Sequence, residues 1–239
     1  MTDNFQDFWV YLSSTPLMGL TLTLIAYLMA YSFYTWRRYA PWATPLVWAT
    51  LLIIAVLLLS NTSYTTYFEG AQFIHFLLGP SVVAMGLLLW LRWADLKPQM
   101  WPLLGASLIG GAVAVISVVL LAWAFGLPPK IILSLAPKSM TTSVAMGVAE
   151  KIGGEISLVA VFTIITGVMG ALMGPLLFKL ARIKSDAARG FALGTASHGI
   201  GTASAFQISP TAAAYAALAV GVQSVLGAVL IPLIYHGFF

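Results

Sequence analysis

Hydrophobic and polar positions fall in long blocks along this chain, with no period of 2 or 3.6. Continuous apolar runs cover about residues 9–34, 43–60, 73–90, 101–125, 156–180 and 211–235. Runs of this length, apolar on every face, predict helices dissolved in lipid, since about 20 such residues cross a bilayer. Two shorter segments, about 131–148 and 187–208, are interrupted by proline, glycine and hydroxyl residues. Irregular backbone at membrane depth survives only inside protein or beside a cavity. These two segments are therefore expected to be re-entrant hairpins or broken helices on a substrate path.

Composition agrees with lipid as the solvent. The 239 residues are 60% hydrophobic and 8% charged, against about 25% charged in soluble domains. Mean hydropathy is +0.96. The length accommodates roughly six to eight spans in one domain. The absence of cysteine excludes disulfides and thiolate metal sites. His75, His198 and His236 are far apart and form no metal motif. A net charge of +4 does not point to nucleic acid, because the basic residues stand at the ends of apolar runs. Asp3 and Asp7 precede the first run where a signal peptide would carry basic residues, so that run reads as a first span. Trp9, Trp36, Trp42, Trp90, Trp93, Trp101 and Trp123 lie near span ends, where indole favours the headgroup layer.

Lysine and arginine set the topology. Arg37, Arg38, Arg92, Lys97, Lys179, Arg182, Lys184 and Arg189 all follow the first, third and fifth runs. Placing these in the cytoplasm puts the loop at 61–70 and both termini outside. It also requires each interrupted segment to return to the side it entered from. Two full but broken crossings are the alternative, and they would export the strongest basic cluster. Thr142–Met146 can be laid on Thr202–Phe206 at an offset of sixty, and the preceding spans share that offset. The expected fold is an all-α polytopic membrane protein of about six spans plus two hairpins in an inverted repeat. Residues 1–98 are expected to form scaffold-like spans and 99–239 a transport core.

The interrupted segments carry the chemistry. Pro137 breaks the helix before Lys138, and Ser139, Thr141, Thr142 and Ser143 offer N-cap hydroxyls for a new one. A half-helix start beside a lysine suits a small carboxylate. Alternatively, Lys138 snorkels to the interface and the hydroxyls only cap. His198 stands among Thr195, Ser197, Gly199, Gly201, Thr202 and Ser204. It could bind a substrate oxygen or carry a coupled proton, or simply pack between helices. Glu150, Lys151 and Glu155 read as a solvated turn, His75 with Gly79-Pro80 as a kinked span, and His236 as interfacial. No Walker loop, nucleophile elbow, zinc motif or carboxylate pair is present, so no enzyme is expected.

Two motifs resemble those of the LrgB/CidB family, to which the membrane part of the plastid glycolate/glycerate transporter is similar. They are Pro137-Lys-Ser-Met-Thr-Thr-Ser-Val-Ala145 and Ala188-Arg-Gly-Phe-Ala-Leu-Gly-Thr-Ala-Ser-His-Gly-Ile-Gly-Thr-Ala203. Ser63-Tyr64, Tyr67-Phe68, Gly70 and Gly79-Pro-Ser-Val-Val-Ala84 are also familiar. Ser143 replaces a usual proline, and Ser204 stands where many relatives carry arginine. The resemblance implies either a carrier of glycolate, glycerate, pyruvate or a similar monocarboxylate, or a holin- or antiholin-like regulator of murein hydrolases and autolysis. It also implies a small LrgA/CidA-type membrane partner. The expectation is a homodimeric carrier in the bacterial cytoplasmic (inner) membrane. Lys138, Ser139, Thr141 and Thr142 would face His198, Thr202 and Ser204 across the substrate, with H+ or Na+ as coupling ion and no cofactor.

Overall fold

The computed structural model describes residues 16–38, 40, 43–77, 80, 83, 87, 90–91 and 93–238. Every regular element among them is a helix. Four helices are long and apolar enough to cross a bilayer. The chain forms two compact units, Met1–Ala84 and Met85–Phe239.

In the first unit α1 (Pro16–Trp36) packs on α2 (Pro45–Leu59) and α3 (Tyr64–Phe76). Ala26, Ala30 and Ala49 form its core, and the Thr23 hydroxyl meets Tyr67 Oη at 2.7 Å. The second predicted span is shorter than expected. Pro45 starts α2, the backbone turns at Ser60, and 15 residues remain. That length rises about 22 Å against a hydrocarbon core of about 30 Å. The predicted loop at 61–70 is helical from Tyr64 onward. Ser63 Oγ accepts the Thr66 amide at 3.1 Å and so starts the helix that a loop reading missed. The first run before Pro16, most of the run at 73–90, and the His75 side chain lie outside the described residues.

The second unit opens with α4 (Trp93–Leu96) and a 3₁₀ turn, Lys97–Gln99. Three long helices follow among shorter pieces: α5 (Met100–Ala124), α8 (Ile156–Leu180) and α10 (Pro210–Phe238). Their outer faces are apolar and exposed, for example Ile109, Val113, Ile164, Leu176, Val225 and Leu233. Their inner faces carry small and polar residues such as Ser107, Thr163, Gly167 and Gln223. This inside-out distribution is what lipid selects, because lipid tails do not drive apolar side chains inward.

Between α5 and α8 the chain makes a hairpin of α6 (Pro129–Leu135) and α7 (Thr142–Ile152). Pro137 ends the first limb, and two turn bonds, Lys138 N to Leu135 O and Met140 N to Pro137 O, carry the chain round. The limbs close at their base. Ser134 Oγ accepts the Glu155 amide at 2.7 Å, and Lys130 pairs with Glu155. Gly153 takes φ 82°, the left-handed cap that ends α7. Ala136, Met140, Ala145, Val148 and Ile152 bury this hairpin against Val115 and Val119 of α5, Val159 of α8 and Ile231 of α10.

The second hairpin is one helix, α9 (Asp186–Phe206), broken at His198, where φ is 43° and ψ −136°. A methyl on Gly201 would lie 2.2 Å from Leu193 O, which places the return limb against the outgoing one. The limbs are α9a (186–197) and α9b (199–206). α9a runs beside the start of α10 with almost no gap. Methyls on Gly190 and Gly194 would strike Ala212 O and Ala216 O at 2.0 and 2.2 Å. Alanines 212, 213, 214, 216 and 219 of α10 are fully buried there.

Candidate functional site

The two hairpins enter from opposite ends of α8. The base of the first, at Lys130 and Glu155, adjoins the first residue of α8. The base of the second adjoins the last turn of α8: Phe178 packs with Leu193 and Ala205, and Arg189 Nε donates to Ile183 O at 2.9 Å. The tips meet along the middle of α8. Thr142, the first residue of α7, has its hydroxyl 3.1 Å from the Thr163 hydroxyl. His198 Nε2 is 2.8 Å from the Thr163 carbonyl oxygen. Thr163 is therefore the bridge between the tips, and it is fully buried.

The same stripe of α8 explains why the tips fit. Gly167 lies against the His198 ring and Gly170 against Ser197, where any side chain would collide. Thr163, Gly167, Gly170 and Gly174 recur at helical spacing on one face. Small residues there let the break in α9 approach closely. His198 is itself strained, since a non-glycine residue at φ 43° is uncommon.

The predicted residues are brought together only in part. Thr142 and His198 meet through Thr163. Ser139 is buried, and Lys138 Nζ reaches its hydroxyl at 3.5 Å. Thr141 occupies the N-cap position of α7 but makes no side-chain capping bond, against the expectation that hydroxyls cap this helix. Its extended backbone leaves the first-turn amides of α7 without a side-chain acceptor, a positive pole beside Lys138. Thr202 does not face the first hairpin. Its hydroxyl donates to the His198 carbonyl at 3.1 Å, because the break leaves that oxygen in need of a partner. Ser204 lies further down the return limb, half-buried, and shares no hydrogen bond with the other predicted residues.

Reading the sequence missed Thr163, an isolated hydroxyl in a long apolar run. It also missed Ser107, Gln223 and Ser224, whose Oγ, Oε1 and Oγ are buried without a hydrogen-bond partner among the described residues, as are Thr195 Oγ1 and Ser197 Oγ beside His198 in the sequence. A groove of about 580 Å³ runs from Gln99 and Ser185 to Gly110 and Thr195, between α5, α9a and α10.

Apart from Lys138 at the tip of the first hairpin, the charged side chains described in the second unit lie toward its two ends. Lys97, Lys179, Arg182, Lys184 and Arg189 lie toward the base of the second hairpin. Lys130, Glu150, Lys151 and Glu155 lie toward the base of the first. The Lys130 ammonium, by hydrogen bond and by charge, holds the Glu155 carboxyl below the ordinary carboxylate range. The exposed pair closes the hairpin base and is well away from the tips.

The profile of the LrgB-like family matches residues 23–236. The chain is 37% identical over 215 residues to the uncharacterized protein YxaC of Bacillus subtilis (strain 168), covering 90% of this chain and 93% of that one. It is 35% identical over 193 residues to YwbG of the same organism, with coverages of 81% and 85%. It is 33% identical over 219 residues to the antiholin-like protein LrgB of Bacillus cereus (strain B4264), covering 92% and 95%. No solved structure matches the chain. With a family profile spanning nearly its whole length and several helices long enough to cross a bilayer, the chain belongs to the LrgB-like family of bacterial membrane proteins.

Proposed function

We propose that the interior of this protein is a carrier site for a small monocarboxylate, and that any antiholin-like role it shares with its relatives works through that flux. The relatives' names favour the antiholin-like reading by themselves: one of the three cited is called antiholin-like, and none of them names a solute. Geometry supports the carrier. The single observation behind it is the convergence of two broken hairpins, from opposite ends of α8, on buried Thr163. A regulator acting through its outer surface has no need of such an interior, whose irregular backbone is costly to enclose.

In this reading, Lys138 and the uncapped start of α7 hold the carboxylate, and Thr142, Ser139 and His198 hold the 2-oxygen of a glycolate-, glycerate- or pyruvate-like solute. α5 with the first hairpin and α8 with the second form an inverted repeat, and movement of the hairpins alternates access. The protein has about six spans, with the basic end cytoplasmic and both termini outside. It works as a homodimer with a small LrgA/CidA-type partner, and it catalyses no covalent chemistry.

Reconstitution separates the two readings. The purified chain in proteoliposomes should take up labelled glycolate down a gradient and exchange it for unlabelled glycolate. Vesicles that admit no monocarboxylate, while deletion of the gene still alters autolysis, would leave the antiholin-like reading alone.

A further inference from the structure

Three of the five residues with unpartnered buried oxygens border one stretch of α5, where α9a and α10 meet it. Thr195 packs on Gly110, where a methyl would meet its Cγ2 at 3.3 Å. Gln223 packs on Gly111, where a methyl would meet its amide at 2.4 Å. Ser107 lies one turn before Gly111 on the same face of α5. Ser107 is 0%, Gln223 6% and Thr195 8% exposed, and the Oγ1 of Thr195 and Oε1 of Gln223 have no partner. A buried polar atom without a partner is destabilising, so a cluster of them implies an occupant.

The chemistry of the cluster narrows that occupant. The oxygens available there are two hydroxyls and one carboxamide oxygen, all neutral. Thr195 lies in the last turn of α9a, which stops at the His198 break. The last carbonyls of a helix lack intrahelical donors and form its negative pole. Oxygens and a negative pole suit a cation. The carboxylates described in this unit, Asp95, Glu150, Glu155 and Asp186, are all near its ends, and a divalent ion would call for them. The groove from Gln99 and Ser185 ends at Thr195 and Gly110, so an ion has a path in from the basic end.

We infer that Ser107, Thr195 and Gln223 form a sodium site at the broken end of α9a. Its place beside the hairpin tip makes sodium the coupling ion, a role that rests on the carrier reading, whereas the site itself does not. The ion would hold α9a against α5 and α10, and so fix the position of His198 three residues on. Sodium and substrate would then bind cooperatively.

The test is thermal unfolding of the purified full chain in detergent, in sodium, potassium or choline chloride at equal ionic strength. Sodium should raise the midpoint in a saturable way, while potassium and choline should not. Thr195→Val, which keeps the shape, and Ser107→Ala should each weaken the sodium response about tenfold, the worth of roughly one oxygen ligand. Equal midpoints in the three salts for the wild-type chain would overturn the site and mean that water fills the cluster; this arm needs no variant to fold. Glycolate uptake separates the two proposals. A sodium response without uptake keeps the site and removes the carrier. Uptake indifferent to sodium, with equal midpoints, removes the site and keeps the carrier.

Discussion

Thr163 decides how the two hairpin tips are held. Its carbonyl takes the His198 ring and its hydroxyl meets Thr142. Thr163→Val keeps the shape and the carbonyl but deletes the hydroxyl. It should cost about 0.5–1.5 kcal/mol in stability and slow uptake more than that loss explains, because Thr142 is set free at the tip. Unchanged uptake rates with a lowered melting temperature would make Thr163 a packing residue. His198 is the other residue that matters here. An ordinary imidazole titrates near pH 6.5, within a carrier's working range. His198→Gln keeps a donor to the Thr163 carbonyl but cannot titrate. Exchange should survive while the pH dependence of net uptake flattens, and a wild-type pH profile in that variant would exclude His198 as the titrating group. Only one of the two residues was legible in the sequence. His198 was, because glycines and hydroxyls surround it. Thr163 was not, because one threonine in a 25-residue apolar helix carries no signal alone. The small residues at 167, 170 and 174 on its face were the signal available.

At the scale of elements, the breaks were readable and the close packing was not. Pro137 and the Gly/hydroxyl run at 194–204 each predicted an interruption, and each is one. The tight pairing of α9a with α10 depends on Gly190 and Gly194 facing Ala212 and Ala216, a register that no single segment reveals. Gly194→Ala should destabilise the second hairpin by about 1–3 kcal/mol, since its methyl meets backbone rather than a movable side chain. Gly105→Ala, with nothing within 4 Å of the new methyl, is the control. It should be neutral or up to about 1 kcal/mol stabilising through helix propensity. Comparable melting temperatures for the two variants would contradict the packing described. α3 was misread for a different reason. Its polar and aromatic residues, Tyr64 to Gly70, look like a loop until Ser63 is seen to cap them.

At the scale of the second unit, five of its eight described basic residues gather at one end and the Lys130–Glu155 pair lies at the other. The positive-inside rule then orients it. The chain contains no cysteine, so single cysteines report cleanly. Lys184→Cys should react with an impermeant thiol reagent from the cytoplasmic side only, and Lys151→Cys from the outside only. Labelling of Lys151→Cys from the same side as Lys97→Cys, placed before α5, would mean that the first hairpin crosses the membrane, and the inverted repeat would fall with it.

The central claim is that the hairpin tips bind a carboxylate. The most direct measurement is labelled glycolate uptake by proteoliposomes that contain the wild-type chain or Lys138→Ala at equal, monodisperse incorporation. Lys138 is the lysine nearest a hairpin tip, and it stands beside the uncapped start of α7. The account predicts saturable uptake by the wild type and its loss in Lys138→Ala, with folding retained. Wild-type uptake by a well-folded Lys138→Ala protein would contradict it.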